Sequence, residues 1–389
     1  MLTNEQLFIL SLLHQAIEET DPIDCTVEAS SVPFLANIIL RNGILLTVYP
    51  VLQKTPGIVA TQLSEQLKTK YLASVRQSIL QGYEGQQILD KFEDNEVDCI
   101  ALKGWVIRNL YPDPAMRNMA DMDILVRDYD YEKLCVLMQE LGYSSGSESA
   151  WKHDDFFKEG GITIEMHKRL TDDSGIIQIW ESRMWEHAVL ETGKQHIWLM
   201  SDEDYYIFHI IHMHKDFLNG TLGLRRLTDT WIYNRVHPDL NREYIRQKLT
   251  EMQMETFCER IENLTCVMFN CNGQKSDENS EILLNHAFAY GIFGNSKSYK
   301  AGRIAAMSGK SIIAGKIRSL SAAVFLPVKR MKAQYPVLKK YPVLLPVYWW
   351  KRISGKLHNL QKYKKLMDYS EVSQEDYDEM KRFFEAGGV

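Results

Sequence analysis

The stretch Asp121-Met122-Asp123-Ile124-Leu125-Val126 decides how this chain folds. Side chains on a strand alternate between the faces of a sheet, so Asp121, Asp123 and Leu125 share one face and Met122, Ile124 and Val126 the other. The apolar face marks a strand laid on a core, and the acidic start places it at the rim of a sheet. Two neighbouring carboxylates repel and destabilise the fold unless a cation is held between them. A hard, oxygen-seeking ion suits that arrangement, Mg2+ first and Mn2+ as its substitute.

A third carboxylate follows downstream. Trp151–Phe157 and Ile162–His167 flank Glu159-Gly160-Gly161, a hairpin turn signal. In Ile162–His167, Ile162, Ile164 and Met166 face one way, and Thr163, Glu165 and His167 the other. Paired beside Asp121–Val126, that strand lets Glu165 complete a three-carboxylate cluster, enough for two metal ions roughly 3.5–4 Å apart. Upstream, Val97–Leu102 reads as another short strand ending at Lys103-Gly104, and Tyr129–Leu141 as a helix stopped by Gly142.

Outward from this unit the pattern is helical. Residues 1–95 form an N-terminal helical region, with leucines and isoleucines at three- and four-residue steps from Ile58 to Phe92 interrupted only by Gly82 and Gly85. Residues 96–170 are the mixed α/β core. Helical periods return over 202–217, 224–236, 240–270 and 278–290 within a helical domain spanning 171–295. Residues 296–389 form a basic C-terminal helical region, broken at Pro327, Pro336, Pro342 and Pro346. The fold class is therefore α+β, a small mixed sheet embedded in a mostly helical protein.

At 45% hydrophobic and 25% charged residues, the 389-residue chain has the composition of an ordinary globular protein with room for several modules. Its six cysteines show neither CxxC pairs nor high density, which points to a reducing compartment and away from a metal or redox framework. The N-terminus reads as an amphipathic helix and not as a signal peptide. No uncharged apolar run reaches the roughly 18 residues of a transmembrane helix, so a soluble, cytoplasmic or at most peripheral protein is expected. The net charge of −6 hides an asymmetry: from Ile282 to Leu366 there are 17 lysines and arginines and no acidic residue. Such a block is either an interaction face for RNA, anionic lipid or an acidic partner, or a surface docked on the acidic remainder of the chain. Its Tyr348, Trp349 and Trp350 are expected in the core.

The ordered set Leu102-Lys103-Gly104, Tyr111, Arg117, Asp121-x-Asp123-Ile-Leu-Val, Leu141-Gly142-Tyr143 and Ile164-Glu165-Met166-His167 resembles the bacterial uncharacterised nucleotidyltransferase family of the polymerase-β-like superfamily. With His212, His214, Arg225 and Asp229, the resemblance covers roughly residues 30–350. It implies transfer of a nucleoside monophosphate from an NTP, with ATP expected, to an acceptor hydroxyl on a small molecule, a protein or an RNA. It also implies that Asp121 and Asp123 hold both metal ions and Glu165 the acceptor-side ion. The superfamily places Gly-Ser or Gly-Gly about a dozen residues before its aspartates, whereas here Gly104 precedes Trp105 and lies 17 residues before Asp121. Lys103 and Arg117 are the cations that can compensate at the phosphates, with Gly104 as cradle and Arg225 as a further nucleotide contact.

Plainer roles compete. Arg117 can pair with Asp113 or Asp121, and Arg225 with Asp229 one helical turn away. His209, His212 and His214 lack the spacing of a zinc site and read as core residues. Two rival functions stand beside nucleotidyl transfer. One is a glycosyltransferase, whose usual nucleotide-binding domain of around 100 residues is not evident before Asp121. The other is a catalytically silent module acting through the basic region.

Overall fold

The computed structural model describes residues 2–21, 26–146, 153–171, 175–269, 275–308, 311–356 and 368–389. Trp151 of the expected hairpin, Cys25, Cys271 and the basic residues of 357–366 lie outside them. The strands are β1 (Cys99–Ala101), β2 (Asp121–Val126), β3 (Ser144–Ser145), β4 (His153–Phe157), β5 (Thr163–His167), β6 (Val189–Leu190) and β7 (Ile197–Leu199). They form one mixed seven-stranded sheet in the order β3-β4-β5-β2-β1-β7-β6. Strand β2 pairs antiparallel with β1 and parallel with β5, and β5 closes the expected hairpin with β4. Strand β7 joins parallel to β1, so the sheet recruits two short strands from beyond Leu170 that carry too little sequence pattern to be read.

The helices before the sheet are α1 (Asn4–Glu18), α2 (Val32–Arg41), α3 (Leu45–Leu52) and α4 (Ile58–Asp94). Within or beside it lie α5 (Gly104–Arg108), α6 (Tyr131–Glu140) and α7 (Ile176–His187). Then come α8 (Asp202–Leu218), α9 (Leu224–Val236), α10 (Arg242–Glu251), α11 (Glu255–Met268) and α12 (Glu278–Tyr290). The single helical period expected over 240–270 is two helices, parted where Gln253 takes a left-handed φ of 60°.

The sheet has an apolar core on each face. Met122, Ile124, Phe156, Ile164 and Met166 are buried against Ile88, Leu89 and Phe92 of α4 and Leu134, Leu137 and Met138 of α6. Ile100, Leu102 and Leu125 enter a larger core built by α1–α3 and α8–α12. Helix α4 runs unbroken past both of its glycines. Gly85 is needed there because a Cβ would stand 2.2 Å from the Trp105 ring and 2.9 Å from Met122 Sδ.

Two buried polar side chains of α4 fix the loops around β2 and β5. Gln81 donates to the Met119 carbonyl at 2.6 Å and accepts from the Met119 amide. Glu84 accepts from the Ile162 amide at 3.0 Å and from Tyr143 Oη at 2.9 Å, and pairs with Lys158. A buried carboxylate is tolerated when it is bonded this fully.

The C-terminal part holds α13 (Ser296–Ser308), α14 (Ile312–Val324), α15 (Val328–Gln334), α16 (Val337–Lys340), α17 (Leu345–Lys356) and α18 (Gln374–Ala386). Pro327 and Pro336 cap α15 and α16, Pro342 opens a 3-10 turn and Pro346 lies in the first turn of α17, positions where a missing N–H costs nothing. Tyr348 and Trp349 are only partly buried and Trp350 stands out in solvent, so the core positions expected for all three are not taken. Among the described residues no helix is long and apolar enough to cross a membrane. Cys266 is disulfide-bonded, while Cys99, Cys135 and Cys258 are free thiols. The disulfide departs from the reading of the cysteine spacing, which signals only CxxC pairs and dense frameworks.

Candidate active site

The register of β5 on β2 sets Asp121 opposite Thr163, Asp123 opposite Glu165 and Leu125 opposite His167. Residues directly opposite in a ladder leave the sheet on the same side, so Asp121, Asp123 and Glu165 share one face. Ile164 and Met166 point into the apolar layer on the other side. Strand β4 adds two more polar groups, since His153 lies opposite His167 and Asp155 opposite Glu165.

Asp123 is the buried centre, 2% exposed. Its Oδ1 accepts from Lys103 Nζ at 2.5 Å and lies 2.8 Å from His167 Nε2. The same imidazole nitrogen is 3.3 Å from Glu165 Oε2, while His153 Nε2 is 4.0 Å from that oxygen. Lys103 reaches Asp123 from a strained turn, with φ at 45°, whose carbonyl accepts a 2.7 Å hydrogen bond from Tyr205 of α8. A helix of the larger core thus holds the lysine in place.

Charge is unevenly settled across the cluster. Burial pushes the Asp123 carboxyl up, but the His167 hydrogen bond and the Lys103 charge outweigh it and hold the group well below the usual carboxylate range. Glu165 is lowered chiefly by its His167 contact. Asp121 goes the other way, raised first by burial and then by the charges of Asp123 and Glu165. A divalent cation would relieve the repulsion left at Asp121, and carboxylate oxygens are the donors that a hard ion takes. His153, Glu165 and His167, with ligand atoms within 4.8 Å of one another, add a mixed nitrogen–oxygen set at the same place.

The other residues singled out in the sequence fall in different surroundings. Arg117 is buried and grips Asp229 of α9 with two parallel bonds, Nε to Oδ1 at 2.8 Å and Nη2 to Oδ2 at 2.9 Å. Its third nitrogen donates to the Asn118 carbonyl, and Tyr111 Oη donates to Asp229 at 2.8 Å. All three guanidinium nitrogens are engaged inside the protein, so Arg117 braces the loop before β2. Its partner is Asp229, neither Asp113 nor Asp121, because the loop folds back on α9. The Arg225–Asp229 pairing expected from helical spacing gives way for the same reason, and Arg225 instead donates to Asn118 Oδ1 at 3.3 Å. Its Nε has no hydrogen-bond partner among the described residues, and burial, reinforced by the Arg117 charge, pushes its guanidinium down to about 9. Gly104 opens α5 where a Cβ would stand 2.6 Å from Met119 Cγ, so packing accounts for the glycine.

The three histidines of α8 behave as core residues. His209 bonds Thr230 Oγ1 at 2.8 Å, His212 lies beside Asp216, and His214 meets the Phe257 ring edge-on. Sequence reading missed His153 and His167 as members of the cluster. The signal for His167 was present, since it shares the period-two face of Glu165. His153 required the hairpin register.

A family model described as uncharacterised nucleotidyltransferase matches residues 29–270. The chain belongs to that family. The match spans the whole sheet and every residue of the carboxylate cluster, and it ends at residue 270, leaving all of the basic segment outside. No curated protein and no solved structure matches the chain. For this nucleotidyltransferase family member, the site must be read from its own geometry.

Proposed function

We propose that this protein is a metal-dependent nucleotidyltransferase of the polymerase-β-like type, moving NMP from an NTP, with ATP as donor, to a hydroxyl-type acceptor. The observation that carries the reading is the convergence of Asp121, Asp123 and Glu165 on one sheet face, in a chain of a nucleotidyltransferase family. Asp121 and Asp123 would hold two magnesium ions, with Glu165 as a further ligand on the acceptor side. When bound, Mg2+ supplies neutralising charge for the phosphates and acidifies the acceptor hydroxyl.

The chain's own groups do the positioning. His167 and Lys103 hold Asp123 ionised and aimed, and His167 does the same for Glu165. Glu165 takes the acceptor proton as the acceptor oxygen bonds to the α-phosphorus. The bond from that phosphorus to the bridging oxygen breaks, and pyrophosphate leaves with both electrons. Lys103, only partly buried, is the cation placed to meet phosphate oxygens. Such catalysis consists mainly of orientation and charge stabilisation.

The test is incubation of the purified protein with Mg2+, cell extract and ATP labelled at either the α- or the γ-phosphate. Transfer of α-label to a discrete acceptor, lost in Glu165→Gln, is expected. Transfer of γ-label alone would mean phosphoryl transfer and overturn the reading.

A further inference from the structure

The basic C-terminal region carries an unusual surface. Helix α14 leaves Ile313, Ile317 and Leu320 exposed, spaced four and three residues apart along one helical face, with Ile313 66% exposed. The same spacing recurs where the 3-10 turn at Pro342–Leu344 runs into α17: Val343, Val347 and Trp350 are 83%, 60% and 73% exposed. The two stripes are linked through their shared chain. Arg352 donates to the Val324 carbonyl at 2.8 Å and Trp349 Nε1 to the Leu326 carbonyl at 3.1 Å. These side chains are therefore held in place while their neighbours face solvent.

The segment that carries the stripes has charge of one sign, and the acidic residues packed nearest to it, Glu371 and Asp376, are paired with Lys300 and Lys297 of α13. Lys339, Lys340 and Lys351 are exposed beside them, and no acidic residue occurs anywhere from 282 to 366. An apolar helical stripe bearing an exposed tryptophan and flanked by lysines, too short to span a bilayer, has the character of an interfacial helix. A nucleic acid would match the charge but leave the aliphatic side chains in water. A second copy of the chain would cover the stripes but bring its own 17 cations against them.

We propose that α14 and α17 form a membrane-docking surface that binds anionic phospholipid, seating Ile313, Ile317, Val347 and Trp350 among the acyl chains and the lysines at the headgroups. This holds whether or not the carboxylate cluster is catalytic.

The experiment is flotation of the full chain with vesicles of phosphatidylcholine alone or with roughly a third phosphatidylglycerol, at low and high salt. Binding to the anionic vesicles only, weakened by salt, is expected. A quadruple serine variant at Ile313, Ile317, Val347 and Trp350 should bind at least about tenfold more weakly, with an unchanged circular dichroism spectrum. The Lys339→Glu, Lys340→Glu, Lys351→Glu variant should lose the preference for anionic vesicles. Failure to float with either vesicle overturns the proposal. So does tight binding to single-stranded RNA that the serine variant retains in full, or light scattering that shows the stripes buried in a dimer broken by the serine substitutions.

Discussion

Asp123 and Glu165, 42 residues apart in sequence, stand directly opposite each other on adjacent parallel strands. One imidazole, that of His167, lies within 3.3 Å of both carboxylates. With Lys103 also on Asp123, a cluster reading as pure repulsion in the sequence is partly relieved by the protein itself, and the two aspartates of β2 have unlike surroundings.

That difference makes their substitutions diverge. Asp121→Asn removes a carboxylate raised by burial and by Asp123 and Glu165, so the metal-free variant should melt above wild type. Asp123→Asn strips the partner from Lys103 and His167 and should cost about 3 kcal/mol or more, as breaking a buried pair does. Thermal melts in EDTA check both. Each variant should lose about a thousandfold in transfer rate.

The pH dependence of metal-free stability follows with opposite signs. Asp123 is held below its unfolded value, so its contribution is full above about pH 4 and is lost as the pH falls further. Asp121 is raised, so its charged form is penalised in the fold, and the penalty is relieved as acidification approaches about pH 4 from above. In urea titrations, Asp123→Asn should lose less stability than wild type below that pH. Asp121→Asn should lack the relief that wild type gains above it.

Arg117→Lys should act on stability, not selectively on nucleotide affinity. Lysine cannot reproduce the two parallel bonds to Asp229, so a loss of about 2 kcal/mol or more is expected by denaturant unfolding. A large rise in the KM for NTP at unchanged stability would return Arg117 to the phosphates.

Gly85→Ala tests the packing behind the sheet. Its methyl group would press into Trp105 and Met122, costing about 1–3 kcal/mol. Gly82→Ala on the same helix meets nothing nearer than 3.8 Å and should be neutral or stabilising.

The central strand was legible because Asp121-Met122-Asp123-Ile124 and Ile162–His167 alternate between polar and apolar residues, and the structure forms strands over both stretches. Short strands such as Val189–Leu190 and Ile197–Leu199 have no such alternation to read, and only pairing with β1 and with each other defines them. The Arg117–Asp229 brace spans 112 residues and leaves no local trace, so helical spacing suggested Arg225 in its place. Gln81 and Glu84 look like ordinary polar positions of a long helix until the loops they hold are seen.

The most direct test is a Mn2+ titration followed by electron paramagnetic resonance in the presence of a non-hydrolysable ATP analogue. Wild type should take up two ions per chain, and Asp121→Asn and Glu165→Gln should each lose at least one, with weakening of about ten- to a hundredfold when His167 is replaced by alanine. Equal Mn2+ uptake by wild type, Asp121→Asn and Glu165→Gln would contradict a metal site built on the three carboxylates.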